Sequence, residues 1–343
     1  MKAAVFYGPH QPLRIEEREI PRPGPGEILV KVAACGVCHS DLEYIELGVP
    51  TFKKPPVVLG HEPSGVVEEV GPGVTEFAPG ARVILSAVTG CGQCLWCRSG
   101  RENICGQMIM LGNSIDGAYA EFVKVSARMA FALPEDVPLR EGCIIADAIS
   151  TPFHAVKSRA RVQAGDLVAV IGCGGVGLNA VQIATALGAH VIAIDLVEQK
   201  LQWARELGAA ETINAGQTDV PKKVRDLTGG GVDIALEVIG NPETLRQAYG
   251  CLRPGGRLCV VGYYPGDFSL AASRLMMREL EIVGSCGCPP QEYPRIIRMV
   301  ADGQIKVKPL VTHYFSLEEV DKAFEVMKKG YSIRSVLVID EKV

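Results

Sequence analysis

A chain of 343 residues suits two domains of ordinary size rather than one or four. Hydrophobic residues make up 48% and charged residues 22%, which supports packed cores and excludes a disordered chain. Lys and Arg number 35 against 39 Asp and Glu, a formal net charge of −4, which argues against nucleic acid or an anionic membrane as the main partner. The longest apolar stretches, such as Leu167–Ile171 and residues 191–194, have the length of strands, well below the roughly 20 residues of a spanning helix. Residues 1–7 run straight into a strand-like pattern with no apolar signal region, so a cytoplasmic protein is expected.

The first region, to about Pro152, holds β-branched runs at 28–32, 65–70, Arg82–Leu85 and 118–125. Turn residues separate them, as in Pro23-Gly24-Pro25-Gly26, Gly71-Pro72-Gly73 and Pro79-Gly80, which predicts an irregular β-rich domain. Two segments place metal-competent residues in this apolar context: Gly36-Val37-Cys38-His39-Ser40-Asp41 and Gly60-His61-Glu62. On composition alone, Cys38 is more often a buried core thiol and His61 a satisfied core histidine.

The chain has twelve cysteines, and four of them fall in one short segment as Cys91-x-x-Cys94-x-x-Cys97-x7-Cys105. In a large chain without a signal segment, such clustering points to metal rather than to disulfides. Four thiolates suit a tetrahedral, closed structural zinc site. Gln93, Arg98 and Glu102 make the segment polar, against a set of buried free thiols. An iron–sulfur cluster uses the same ligands and is the chemical rival. A zinc ribbon that reads nucleic acid would need a basic face, which this acidic chain lacks.

From about Phe153 to Pro289, strand and helix patterns alternate. Strands are predicted at Leu167–Ile171, 191–195, 211–213, 234–238, 257–261 and Glu281–Gly284, with helices such as 175–187 and 198–207 between them. Alternating βαβ units imply a parallel sheet. The first strand runs into Gly172-Cys173-Gly174-Gly175-Val176-Gly177, and Asp195 closes the second. A Gly-x-Gly-x-x-Gly run is weak alone; strand before, helix after and an acidic residue at the next strand's end make it a dinucleotide site. Gly172 allows the tight turn, Gly174 lets backbone approach a pyrophosphate, and Gly177 lets helix and strand pack. Asp195 can accept from ribose hydroxyls and would repel a 2′-phosphate, so NAD is expected over NADP. The bland alternative is an ordinary βαβ turn with a capping Asp.

Residues 290–343 predict two helices, 293–302 and 317–329, and a strand at 335–339. This region is too small to stand alone. Its apolar strand would lack a sheet unless it packs back on the first region. The expected division is therefore residues 1–152 with 290–343, and 153–289.

Gly60-His61-Glu62-x-x-Gly65-x5-Gly71-x-x-Val74 resembles the zinc-binding signature of the zinc-containing medium-chain dehydrogenase/reductase family, in its alcohol dehydrogenase branch. The cysteine lobe, the 172–177 fingerprint and Ser332-Ile333-Arg334 resemble that family in the same order, over essentially the whole chain. The resemblance implies an α/β fold: a GroES-like, β-rich catalytic domain with a doubly wound Rossmann coenzyme domain. It implies two zinc ions per chain. The catalytic one would be held by Cys38, His61 and Asp147, where many relatives have Cys. The structural one would be held by Cys91, Cys94, Cys97 and Cys105. The oxygen ligand at Asp147 should leave the ion a somewhat stronger Lewis acid.

The same resemblance assigns further roles. Asp41 orients the zinc-bound His61, and Glu62 matches a near-metal carboxylate that in some members becomes a ligand. Ser40 hydrogen-bonds the substrate oxygen and starts a proton relay; read without the resemblance it is a turn-capping serine. His39 and Arg334 contact the coenzyme pyrophosphate, Lys200 the adenosine ribose, and Thr151 packs on the nicotinamide. Many members carry a His five residues after the first ligand as terminal base of the relay. Glu43 stands there, either taking the proton from the coenzyme ribose or leaving the relay to empty into solvent.

The reaction expected is reversible hydride transfer between an alcohol and NAD, with a small alcohol or carbonyl compound as the substrate partner. Ser86, Ala87 and Val88 are small where several relatives have bulky pocket residues, which suggests secondary, cyclic or bulky alcohols. Phe52, its neighbours to Pro56, and residues 108–110 are further candidates for the pocket. Polyol and threonine dehydrogenases share the scaffold and stay open. Zinc-free quinone reductases would lack the Cys38/His61 pair and the lobe. A dinucleotide-binding protein with lost activity would be expected to have lost ligands, and none is missing. A homo-oligomer, tetramer or dimer, is expected through the strand Glu281–Gly284.

Overall fold

The computed structural model describes residues 1–340. They form two compact units, residues 1–150 with the described part of 287–343, and Thr151–Cys286.

The first unit is built around the long strand Glu27–Val37, in which nearly every side chain is buried. Such a strand reads as a continuous apolar run because both of its faces are covered. It pairs antiparallel with Glu62–Val70 on one side. On the other side its first half pairs with Phe122–Ser126 and its second half with Arg334–Val338. Register shifts at Leu29/Val30 and Val32/Ala34 bend the strand before it delivers Gly36 and Cys38. The sheet continues outward from Glu62–Val70 through Arg82–Leu85 to Ala130–Ala132, and from Arg334–Val338 to Val311–Phe315 in parallel pairing. A smaller sheet joins Arg14–Glu17, Lys2–Phe6 and Val57–Val58, and Val88–Thr89 pairs with Ile109–Met110.

The core beneath these sheets includes Val30, Val32, Val67, Val83, Leu85, Tyr119, Phe324 and Leu337. Burying each aliphatic side chain contributes about 1.5–3 kcal/mol. Residues 118–125 are not one strand. Ala118 and Tyr119 donate backbone N–H groups to Gly60 and Leu59, and the strand proper is Phe122–Ser126. The helix expected at 317–329 is a short 3-10 turn, Leu317–Glu319, followed by an α-helix, Val320–Lys328; Ser316 and Glu319 cap the start reciprocally.

The second unit holds a parallel sheet. Among the described residues its strand order is Glu211–Asn214, His190–Asp195, Leu167–Ile171, Val232–Glu237, Leu252–Val260, Glu281–Gly284. Numbered along the unit this is 3-2-1-4-5-6, the doubly wound dinucleotide-binding order. Helices Gly175–Ala186, Glu198–Glu206, Val220–Thr228 and Pro242–Cys251 alternate with the strands. Local chemistry sets their ends. Asp219 accepts from the Lys222 N–H at 2.7 Å, and Gly229 closes that helix at φ +71°. Its core includes Ala169, Ile192, Ile194, Val224 and Leu258. The α/β class expected from the sequence, a doubly wound parallel sheet with a β-rich partner unit, is what the chain adopts.

Candidate active site

In the first unit, Cys38, His61, Glu62 and Asp147 bring one candidate ligand atom each within 4.8 Å of one another. Each comes from a different place. Cys38 immediately precedes the helix His39–Glu46; His61 immediately precedes the strand Glu62–Val70; Asp147 follows the turn Cys143–Ala146. Cys38 Sγ lies 3.7 Å from Asp147 Oδ2, and His61 Nε2 lies 3.6 Å from the same oxygen. Those separations suit donors sharing one ion at about 2.0–2.3 Å each.

Glu62 stands apart from the other three. It is fully buried, and its Oε2 accepts from Nε of the buried Arg334 at 3.0 Å, with a second contact between Oε1 and Nη2. Gly36 lies against this carboxylate, where a Cβ would collide with it. With Glu62 engaged by Arg334, three donors remain, the number that leaves a tetrahedral ion one open position. Arg334 also lies 3.9 Å from Asp147.

Electrostatics here are those of an anionic pocket. Burial alone would push the His61 imidazole down. The Asp41 charge first, then the polar atoms of Asp147, Asp41 and Cys38 close around the ring, outweigh burial and hold it well above the usual range. Burial also works against a thiolate at Cys38, but Arg334 and then His61 outweigh it and lower the thiol.

The expected pairing of Asp41 with His61 is present, and two tyrosines that brace the site escaped the sequence. Asp41 Oδ1 lies 3.6 Å from His61 Nδ1, while Oδ2 accepts from the Cys38 N–H at 3.3 Å and from the Tyr119 hydroxyl at 2.7 Å. Tyr293 donates to the carbonyl of Ala146 at 2.5 Å, and the Ser150 hydroxyl donates there at 3.0 Å, which fixes the turn before Asp147. No sequence pattern points to either tyrosine, because both partners are distant in the chain.

The four cysteines of the lobe also converge. Cys91 to Cys97 is 3.9 Å, Cys94 to Cys97 3.5 Å and Cys94 to Cys105 3.7 Å between sulfurs. A tetrahedron of sulfurs about 2.3 Å from zinc has edges of about 3.8 Å, so the donors fit. The backbone N–H groups of Gln93 and Cys94 lower Cys91 to about 6, while burial pushes Cys97 up to about 12. Glu102 holds the lobe to the body of the unit. Its Oε2 accepts from the Gly90 N–H at 2.9 Å and pairs with Arg128 at 3.0 Å. The four-cysteine lobe and the Cys38/His61 cluster thus resemble a structural and a catalytic zinc site.

In the second unit, Gly172 turns at φ +102° and donates its N–H to Ile194. A Cβ at Gly177 would collide with the Gly172 carbonyl, and one at Gly174 would meet nothing within 4 Å. Gly175 and Val176 begin the helix Gly175–Ala186. Asp195 accepts from the Cys173 N–H at 2.8 Å and from the Val197 N–H at 3.0 Å, so it braces the fingerprint turn. Lys200 is half-buried on the next helix, and Thr151 lies in the short helix Ser150–Phe153.

The remaining candidates sit on the helix His39–Glu46. His39 is exposed, and Ser40 and Glu43 are half-buried. Burial, and then the Asp41 charge, raise the Glu43 carboxyl. Of the pocket candidates, Ser86 is fully buried with its hydroxyl unpartnered, whereas Phe52 is 78% exposed.

Residues 24–135 match the family described as alcohol dehydrogenase GroES-like domain, and residues 175–302 match zinc-binding dehydrogenase. The chain is 38% identical over 341 residues to an alcohol dehydrogenase of Moraxella sp. (strain TAE123), covering 99% of each. It is 34% identical to the sorbitol dehydrogenase of Bacillus subtilis (strain 168), over 95% of this chain and 93% of the other. The solved alcohol dehydrogenase TADH from Thermus sp. ATN1 superposes with a TM-score of 0.93 at 31% identity, covering 99% of this chain and 100% of that one. A parallel sheet wound in dinucleotide order, two clusters of metal donors and likeness along nearly the whole length place the chain in the zinc-containing medium-chain dehydrogenase/reductase family, in its alcohol dehydrogenase branch.

Proposed function

We propose that the chain is a zinc-dependent, NAD-linked alcohol dehydrogenase acting on secondary, cyclic or bulky alcohols and the matching carbonyl compounds. The observation that carries this reading is the set of three distant donors, Cys38, His61 and Asp147, converging while Arg334 engages the fourth, Glu62. Zinc bound by those three residues would supply Lewis acidity to a substrate oxygen. NAD, on the 172–177 turn with Asp195 at its ribose, would take the hydride. A second zinc in the cysteine lobe would be structural.

The other candidates then have defined tasks. Ser40 accepts the proton leaving the substrate oxygen and passes it on. Glu43, whose carboxyl is raised, receives it at the end of the relay. Asp41 holds the His61 Nδ1 proton, so that Nε2 keeps its lone pair for the metal. By the family resemblance, His39 and Arg334 would serve the pyrophosphate, Lys200 the adenosine ribose and Thr151 the nicotinamide. Glu62 has its charge balanced by Arg334, which would leave Cys38, His61 and Asp147 to hold the metal. The division of labour follows residues 1–152 with 290–343 for the alcohol and 153–289 for the coenzyme.

The protein works in the cytoplasm as a homo-oligomer. Among the described residues, Glu281–Gly284 pairs on one side only and exposes Ile282, so a second copy could extend the sheet there. No helix of the described residues is long and apolar enough to cross a membrane.

The test is NADH formation from a panel of primary, secondary, cyclic and polyol substrates, before and after chelation. Turnover of secondary or cyclic alcohols, lost on chelation and restored by zinc, is the expected result. Preference for polyols would move the chain to the sorbitol-type reading that its likeness to a sorbitol dehydrogenase keeps open. Absence of turnover from every alcohol, in protein that holds zinc, would overturn the assignment.

A further inference from the structure

Tyr119 belongs to neither donor set, yet it touches the parts that set the orientation of His61. Its side chain is fully buried. The hydroxyl donates to Asp41 Oδ2 at 2.7 Å, and the Gly36 carbonyl lies 3.3 Å away. The ring covers Gly60, the residue before His61, which turns at φ +92°; a Cβ there would stand 2.5 Å from the ring. The ring packs edge-on to Phe324, with centroids 6.4 Å apart and planes at 71°. The backbone of the same residue donates to Leu59 at 3.0 Å.

A phenylalanine would fill the same volume. The hydroxyl therefore asks for its own account, since burying it without a partner would cost about 1–3 kcal/mol. Its partner is a carboxylate, which makes the bond charge-assisted. The two donors on Asp41 Oδ2, the Tyr119 hydroxyl and the Cys38 N–H, leave Oδ1 without a hydrogen-bond partner of its own, 3.6 Å from His61 Nδ1. Rotation of the Asp41 carboxylate would break both bonds. The hydroxyl thus sets the carboxylate's plane, the carboxylate sets the imidazole's tautomer, and the imidazole presents Nε2 beside Asp147.

We propose that Tyr119 is a positioning residue for the catalytic metal, acting through Asp41 and His61. The proposal rests on the zinc reading above. Tyr119→Phe keeps the ring and removes only the hydroxyl. Zinc release to a chelator should show two phases, one from the cysteine lobe and one from the catalytic site, the latter identified by its absence in Cys38→Ala. Tyr119→Phe should speed the catalytic phase about tenfold and leave the lobe phase unchanged. With cobalt in the catalytic site, its visible ligand-field bands should shift, a change that looser core packing alone would not produce. In an Asp41→Ala background the same substitution should add nothing.

Equal release rates with unshifted bands in Tyr119→Phe would overturn the proposal. So would a further acceleration in the Asp41→Ala background, because the hydroxyl would then act by another route. A wild-type chain with no zinc phase sensitive to Cys38→Ala would overturn the zinc reading and this proposal together, a result distinct from equal rates.

Discussion

The two donor clusters of the first unit make an instructive pair. In the lobe, Cys91 and Cys105 are 14 residues apart, and the whole set comes from one polar segment. In the other cluster, Cys38 and Asp147 are 109 residues apart, and the donors arrive on separate elements. The lobe closes a short loop, so local chain entropy is nearly all that metal binding must overcome. The second cluster is assembled by the sheet, which has already oriented the donors by packing. A local site can therefore stabilise its segment, while a site made by the fold can stay three-coordinate and open to a fourth group. Charge differs as well. The lobe relies on backbone N–H groups near Cys91, whereas Arg334 and Asp41 flank the second cluster as full charges.

Three substitutions break or sharpen this contrast. The largest effect is expected from His61→Ala. Turnover should fall at least about a thousandfold, about 4 kcal/mol, while the lobe keeps its zinc. Loss of both metals in that variant would show that the two clusters are not independent. Cys94→Ser should act the other way round. One zinc per chain should be lost and the melting temperature should drop by about 10 °C. At temperatures where the protein stays folded, turnover should remain within about fivefold of wild type. A turnover loss as deep as that of His61→Ala would give the lobe a part in the chemistry.

The smallest change is expected from Glu43→Gln, and it separates chemistry from stability. A carboxyl whose folded pKa is raised stabilises the folded state fully only below its unfolded pKa, about 4.3, and that contribution is lost as pH rises through the folded value. At neutral pH the neutral variant should melt at or above the wild-type temperature, and the gap should close as pH falls towards about 4. If Glu43 ends the relay, the variant should turn over several-fold more slowly with a flattened pH profile. An unchanged rate and profile would remove Glu43 from the mechanism.

The same contrast explains what could be read from the sequence. The lobe and the 172–177 turn are local patterns, so ligand spacing and the order strand, glycines, helix, acidic residue declared themselves directly. The parallel sheet followed from alternation, and strand limits differed by a few residues, as at Leu252–Val260 where 257–261 was expected. Cys38 and His61 read as core residues on composition, and only a family resemblance joined them to Asp147. Tyr119 and Tyr293 gave no sign at all. Each acts on a partner whose position depends on tertiary packing, and a buried tyrosine has the same sequence pattern whether its hydroxyl is idle or bonded.

The pairing of Glu62 with Arg334 spans 272 residues. Synthesis runs from the N-terminal side, so at about 5–20 residues per second Glu62 waits on the order of tens of seconds for its cation. Until the strand Arg334–Val338 adds to Glu27–Val37, a folded site would hold a buried carboxylate with no countercharge, which is strongly unfavourable. The metal pocket is thereby timed to a distant strand: its donors emerge early, but the charge balance that lets them settle comes 272 residues after Glu62.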